Sequence, residues 1–274
     1  MIFNALKTGT KWTLLFIFTL WTIIPISIVV LNSFKRSKDI FTTEPRLFFT
    51  PTFDNYINAF TKSHFAFYYL NSSIVAIVST SLVVVIGTLA AYALTSFNIR
   101  SANFLASTFF FGKLVPVISL LLPLFVMING VGLRGTLAAP IIAHVALNLP
   151  FVLWLMMGFL RDVPKELQQA AMIDGCSRMQ TFWKILVPVI APGLAAAFIL
   201  SMQYSWNELL FSLQLTTLDT YTVPVGIAGF VGAISVDWGL SSAAATAAML
   251  PLILAGFFVQ KHLATGSLGG SVKG

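Results

Sequence analysis

Residues 162–193 read DVPKELQQAAMIDGCSRMQTFWKILVPVIAPG, and the fold turns on this stretch. It is polar and rich in helix start and stop signals. Yet apolar runs of bilayer-spanning length flank it, 136–160 before and 188–208 after. A polar helical segment held between two such runs is a structured loop of a polytopic membrane protein. Asp162 is placed to cap a helix starting at Val163, Pro164 is tolerated in its first turn, and Glu166 sets negative charge near the positive helix end. Val163, Leu167, Ala170 and Ala171 recur at helical spacing and form one narrow apolar stripe. Gly175 predicts the stop, because glycine adopts the left-handed conformation that a helix C-cap commonly needs. Ser177 with Gln180 reads as a capping box for a second helix, with Phe182, Ile185, Leu186 and Val189 along its face. Pro188 and Pro192 mark the passage into the next apolar run.

Composition extends this reading to the whole chain. With 57% hydrophobic and 9% charged residues and a mean hydropathy of +0.89, a soluble domain of this size is excluded. Six runs reach spanning length: 12–32, 69–96, 103–129, 136–160, 188–208 and 239–260. The expected fold class is therefore all-α, a polytopic transmembrane helical bundle of six spans. It forms one domain over 1–274, with a two-helix loop at 161–188. The first run follows Lys7 and Lys11; it is too long for a signal peptide and lacks a small-residue cleavage site, so it reads as an uncleaved anchor.

Placing both termini inside puts Lys7, Lys11, Arg100, Arg161, Lys165, Arg178, Lys184, Lys261 and Lys273 in the cytoplasm. Lys35, Arg36, Lys38, Arg46, Lys62 and Arg134 then fall outside, a modest positive-inside bias. The net charge of +7 is spread singly over span ends, where it meets lipid headgroups, and no basic patch points to nucleic acid. The single cysteine, Cys176, excludes an intrachain disulfide, and His64, His144 and His262 show no metal-ligand spacing. No Gly-x-x-x-x-Gly-Lys-Ser/Thr stretch is present, so any ATP must bind elsewhere.

Two short helices meeting at a glycine make a rigid knuckle, and periodicity alone leaves it open whether the knuckle docks a partner or lies on the membrane as an amphipathic hairpin. Here the chain resembles the permeases of binding-protein-dependent ABC importers. Their loop reads Glu-Ala-Ala, three residues, Gly, nine residues, Ile, any residue, Leu, Pro; this chain keeps the spacing with Gln169, Ala170, Ala171, Gly175, Ile185, Val187 and Pro188. Gln169 replaces the Glu and Val187 the Leu, so an ion pair from position 169 is lost. Shorter matches in the same order narrow the resemblance to the maltose-type second permease: Asn71-Ser72-Ser73, Ala90-Ala91-Tyr92-Ala93-Leu94, Pro116 with Pro123, and Gly132-Leu133. They continue with Pro150, Pro164 to Leu167, Trp206-Asn207-Glu208, Pro224-Val225-Gly226, Asp237-Trp238-Gly239 and the tail Gly266 to Gly274.

The resemblance implies a non-catalytic permease subunit that imports a carbohydrate, polyol or glycoside by alternating access across the inner membrane. It implies a homologous partner permease in a heterodimer, two ATPase subunits that carry ATP and Mg, an extracytoplasmic substrate-binding protein and a lipid surround; this chain itself needs no cofactor. The ATPase-docking residues would be Glu166, Leu167, Gln169, Ala170, Ala171, Met172, Asp174 and Gly175. An ion-coupled secondary transporter is the alternative, but no acidic residue sits in the middle of a span to hold a coupling ion.

Polar residues within spans are the candidates for a substrate path, since each is costly unless it faces water or a partner. Gln203, Asn207 and Glu208 fall roughly on one face of the fifth span. A cavity-lining stripe and an interhelical hydrogen-bond cluster both account for them. Trp206 stacks on a sugar ring or, by default, anchors at the interface. Lys113 reads as snorkelling to the inner headgroups with no substrate role.

Overall fold

The structure, a computed structural model, describes residues 2–42, 48–97, 99–230 and 237–268. Glu44, Arg46 and the tail residues 269–274 lie outside this set. Among the described residues the regular elements are all helical. Apart from a single turn at Ser37–Ile40, they are in chain order α1 (Ile2–Ser33), α2 (Asp54–Lys62), α3 (Phe65–Ser96), α4 (Ala102–Leu114), α5 (Val117–Gly130) and α6 (Ala138–Arg161). There follow α7 (Lys165–Ile173), α8 (Arg178–Val189), α9 (Ala191–Asn207), α10 (Leu210–Leu215), α11 (Val223–Gly229) and α12 (Trp238–Leu268).

Four helices are long and apolar enough to cross a membrane alone: α1 over Thr10–Ser33, α3, α6, and α12 over Trp238–Phe257. Two further pairs qualify only together, α4 with α5 bent by 100° and α8 with α9 bent by 78°. Counting each bent pair as one gives six.

The run at 103–129 is thus not a straight rod. Gly112–Leu114 tightens into a 3₁₀ turn, and Val115 and Pro116 are extended, with ψ of 126° and 124°. Pro116 has no N–H for the helix ladder and pushes the residue before it out of the helical region. The fifth run bends at Ile190, whose φ of −90° and ψ of 9° interrupt the helix just before Pro192.

By proximity the residues group into two compact units, 1–66 with 226–250 and 67–225 with 251–274. In the first unit the C-terminal end of α1 leaves carbonyls without helical partners. Asn55 on α2 satisfies two, its Nδ2 donating to the carbonyls of Ser33 and Lys35 at 2.9 and 2.8 Å. The Ser33 and Tyr56 hydroxyls lie 2.7 Å apart, and Phe34 packs against Phe53 and Tyr56. Along α1, Thr19 and Thr22 donate back to carbonyls of their own helix, which leaves that helix nothing polar to expose to lipid there.

In the second unit α3, α6, α8 and α9 share one core: Val83, Tyr92, Val152, Met156, Leu160, Phe182, Leu186 and Ile190 are all buried. Small residues bring the helices close. A Cβ on Gly87 would lie 2.8 Å from Val152, and one on Gly193 would lie 2.5 Å from the Phe159 ring. Asn71 and Ser72 tie the segment before α11 to α3: Asn71 Nδ2 donates to the carbonyls of Asp219 and Tyr221, and Ser72 Oγ accepts the Val223 N–H at 2.7 Å.

Candidate docking loop and translocation path

The loop between α6 and α9 forms the expected two-helix knuckle, with one correction at its start. α7 begins at Lys165, its N-cap is Pro164 with ψ 131°, and no side chain caps it. Asp162 instead closes α6 in helical conformation. The residue before a proline is steered away from the helical region, so Val163 separates the two helices and Asp162 cannot serve the second.

The far end follows the sequence closely. Gly175 has a φ of +85°. The Cys176 N–H reaches the Ala171 carbonyl at 2.9 Å and the Gly175 N–H the Met172 carbonyl at 3.2 Å, the paired bonds of a Schellman stop. One residue later Ser177 opens α8 with both halves of its capping box: the Ser177 N–H donates to Gln180 Oε1 at 2.8 Å, and the Gln180 N–H to Ser177 Oγ at 3.3 Å. Between α7 and α8 the backbone is therefore held by four local hydrogen bonds, which makes the bend stiff.

Burial divides the predicted stripe. Val163 and Ala171 face the protein, whereas Leu167 is 42% exposed, Met172 48% and Ile173 85%. Glu166, Gln169, Ala170, Asp174 and Gly175 are exposed as well. The outward side of α7 thus presents aliphatic groups set among polar ones. Ile173 lies within the docking stretch Leu167 to Gly175 but is not singled out from the sequence, although a large aliphatic beside Asp174 in a polar helix is a usable signal. In α8 the buried side chains are Thr181, Phe182 and Leu186, followed by Ile190 just past its end, with Ile185 half-buried and Val189 exposed, instead of the expected Phe182, Ile185, Leu186 and Val189. Phe182–Leu186 is wound as a π turn, which widens the repeat and moves the inward face one residue along.

On α9, Gln203, Asn207 and Glu208 line a cavity of about 410 Å³ together with Leu200 and Tyr204. Trp206 does not: it is 2% exposed and meets Tyr69 edge-on at 5.4 Å, so it serves helix packing and neither anchors at an interface nor lines this cavity. One residue along a helix turns the side chain by about 100°, which separates Trp206 from its neighbour Asn207. Gln203 and Asn207 are exposed toward the cavity, and Asn207 Nδ2 donates to the Gln203 carbonyl at 2.9 Å.

Glu208 belongs to a cluster. Its Oε2 lies 3.1 Å from His144 Nε2, an ion pair when the imidazole is protonated, and it accepts the N–H groups of Phe211 and Ser212 at 2.8 and 3.0 Å. The chain of contacts continues from His144 Nδ1 to Ser205 Oγ at 2.7 Å and on to Ser79 Oγ at 3.0 Å. Helices α3, α6, α9 and α10 are thus pinned together through one polar thread inside an apolar bundle. His144, given no role from the sequence, is its hub and is 1% exposed. The signal was available: a histidine within a span needs water or a partner, like any other polar residue there. The Lys113 ammonium stands 5.3 Å from the centroid of the Tyr204 ring.

A loop of this form, joined to a bent bundle with a polar cavity on its fifth span, suits a subunit driven from outside itself. Residues 83–267 match the family described as the binding-protein-dependent transport system inner membrane component. The chain belongs to that family. This permease is a multi-pass inner-membrane protein and a transport component rather than an enzyme. It is 34% identical over 273 residues to the probable ABC transporter permease protein y4oR of Sinorhizobium fredii, covering 98% of each chain. It is 32% identical over 249 residues to the sulfoquinovosyl glycerol transport system permease protein SmoH of Agrobacterium fabrum, covering 90% of this chain and 87% of the other. Its fold is similar to that of a chain in a bacterial ABC transporter involved in the import of the acidic polysaccharide alginate, with a TM-score of 0.81 at 20% identity over 94% of this chain and 96% of that one.

Proposed function

We propose that this permease imports a carbohydrate or a related polyol or glycoside by alternating access, driven by two ATPase subunits docked on the outward side of α7. ATP and Mg belong to those subunits. A second, homologous permease completes the path as a heterodimer, and a soluble or tethered binding protein delivers substrate to the opposite face. Both termini and the α7–α8 loop then lie in the cytoplasm, as the distribution of Lys and Arg favours.

The observation that carries this reading is the unpartnered side of α7. Leu167 and Ile173 are held out by a helix whose stop and turn are fully hydrogen-bonded, which is how a rigid contact for another protein is built. The carbohydrate assignment is supported by the sequence resemblance to maltose-type permeases and by the glycoside for which the Agrobacterium relative is named. Gln203, Tyr204, Asn207 and Glu208 give the cavity amide, phenol and carboxylate groups of the kind that hydrogen-bond sugar hydroxyls. Expression of the whole transport locus with a tag on this chain, followed by purification and a ligand screen on the co-purified binding protein, tests it. Recovery of an ATPase, a second permease and a sugar-binding protein is expected; solute flux by this chain alone would refute it.

A further inference from the structure

We infer that Arg178, Tyr92 and Phe97 form the joint through which movement of α7 reaches the second span; the inference rests on α7 being the ATPase-docking helix. The underside of α7 is a poor route for force. Between its Gln168 and Met172 and the end of α3 lies a cavity of about 70 Å³, bounded also by Tyr92, Ser96, Phe97, Arg178 and Thr181. The hydroxyl oxygens of Ser96 and Thr181 are buried without a hydrogen-bond partner among the described residues. A polar space of that size accommodates water, which makes it a compliant contact.

The firm contact lies at its edge. Arg178 is the first residue of α8, immediately after the stop and the capping box that lock α7 to α8, so its backbone moves with α7. Its carbonyl accepts the Tyr92 hydroxyl at 3.0 Å, and its guanidinium sits over the Phe97 ring at 4.6 Å. Tyr92 and Phe97 meet edge-on at 5.7 Å at the end of α3, and Tyr92 packs on Phe182 of α8 at 4.9 Å. Tyr92 is 6% exposed and part of the shared helical core. A displacement of α7 is thus handed to α3 at three points, one hydrogen bond, one cation–π contact and the packing of Tyr92 on Phe182. The covalent route through α8 leads only to α9. The three residues position the spans and touch no substrate.

The test uses the complete importer in liposomes, with Cys176 replaced by Ser and spin labels at the exposed positions Leu70 on α3 and Ile142 on α6, neither of which lines the cavity on the fifth span. The label distance is measured with and without ATP and vanadate. Wild-type linkage gives a nucleotide-driven change of distance. Arg178→Met and Phe97→Leu are expected to reduce the population reaching the nucleotide-bound distance about twofold or more, while the ATPase subunits stay bound and trap nucleotide normally. Arg178→Lys, which keeps a cation over the ring, should restore it, and the double variant should be no worse than either single one. A full change of distance in Phe97→Leu, a residue that is not part of the α7–α8 loop, overturns the joint even if Arg178→Met fails to assemble. Failure of the ATPase to associate with the wild-type chain is a different outcome; it removes the docking reading and the joint with it.

Discussion

Gly175 is the residue on which the knuckle depends, because a φ of +85° costs other L-residues about 1–2 kcal/mol. Nothing lies within 4 Å of a Cβ placed there, so the cost of Gly175→Ala is conformational alone, and partial loss of ATP-driven uptake is expected. Gly175→Pro cannot adopt that φ and also removes the N–H that binds the Met172 carbonyl; it should abolish assembly or transport, whereas Gln169→Glu on the exposed side should be tolerated in the same uptake assay. Glu208 is the second critical residue. Glu208→Ala leaves His144 and two backbone N–H groups without their partner, and loss of one member of such a buried cluster costs about 3–5 kcal/mol. Thermal unfolding of the detergent-solubilised chain should show it, and a double-mutant cycle with His144→Leu should show strong coupling between the two positions. The sequence shows that a histidine within a span needs a partner but not which one: 64 residues separate His144 from Glu208, and only the packing of α6 on α9 pairs them.

At the scale of elements, hydropathy located the spans because bilayer-length apolar runs admit few alternatives. It could not show that the run 103–129 breaks at Pro116, since both halves are equally apolar and Pro25, Pro150 and Pro251 sit inside α1, α6 and α12. What distinguishes Pro116 is the 3₁₀ turn at Gly112–Leu114 just ahead of it, where a glycine weakens the helix. The capping box at Ser177 and the stop at Gly175 were legible because both act within a few residues; the π turn in α8 was not, because it answers the packing of Phe182 and Leu186 against α3 and α6. Close packing of α9 on α6 at Gly193 yields a direct prediction. Gly193→Val would push into the Phe159 ring and should lower stability in detergent by about 1–3 kcal/mol, while Gly158→Ala, whose new Cβ meets nothing within 4 Å, should not lower the thermal midpoint and should raise it slightly, as alanine suits a helix interior better than glycine.

The whole molecule is built to work in company. None of the apolar window of α1 is buried within the chain, and the outward side of α7 is left equally uncovered, so in the proposed assembly lipid or the second permease meets the one and the ATPase meets the other. The interior of the second unit is continuous, from the knuckle through the core of α3, α6, α8 and α9 to the polar thread at His144 and the cavity beside it. The central claim is that α7 receives the driving force on its exposed side, and Ile173, 85% exposed, allows it to be tested without disturbing the fold. The measurement is the yield of ATPase co-purified with tagged Leu167→Asp, Ile173→Asp permease from membranes, normalised to the permease. The account predicts that the ATPase is largely lost while the permease inserts and unfolds as the wild type does; ATPase retained at wild-type yield would contradict it.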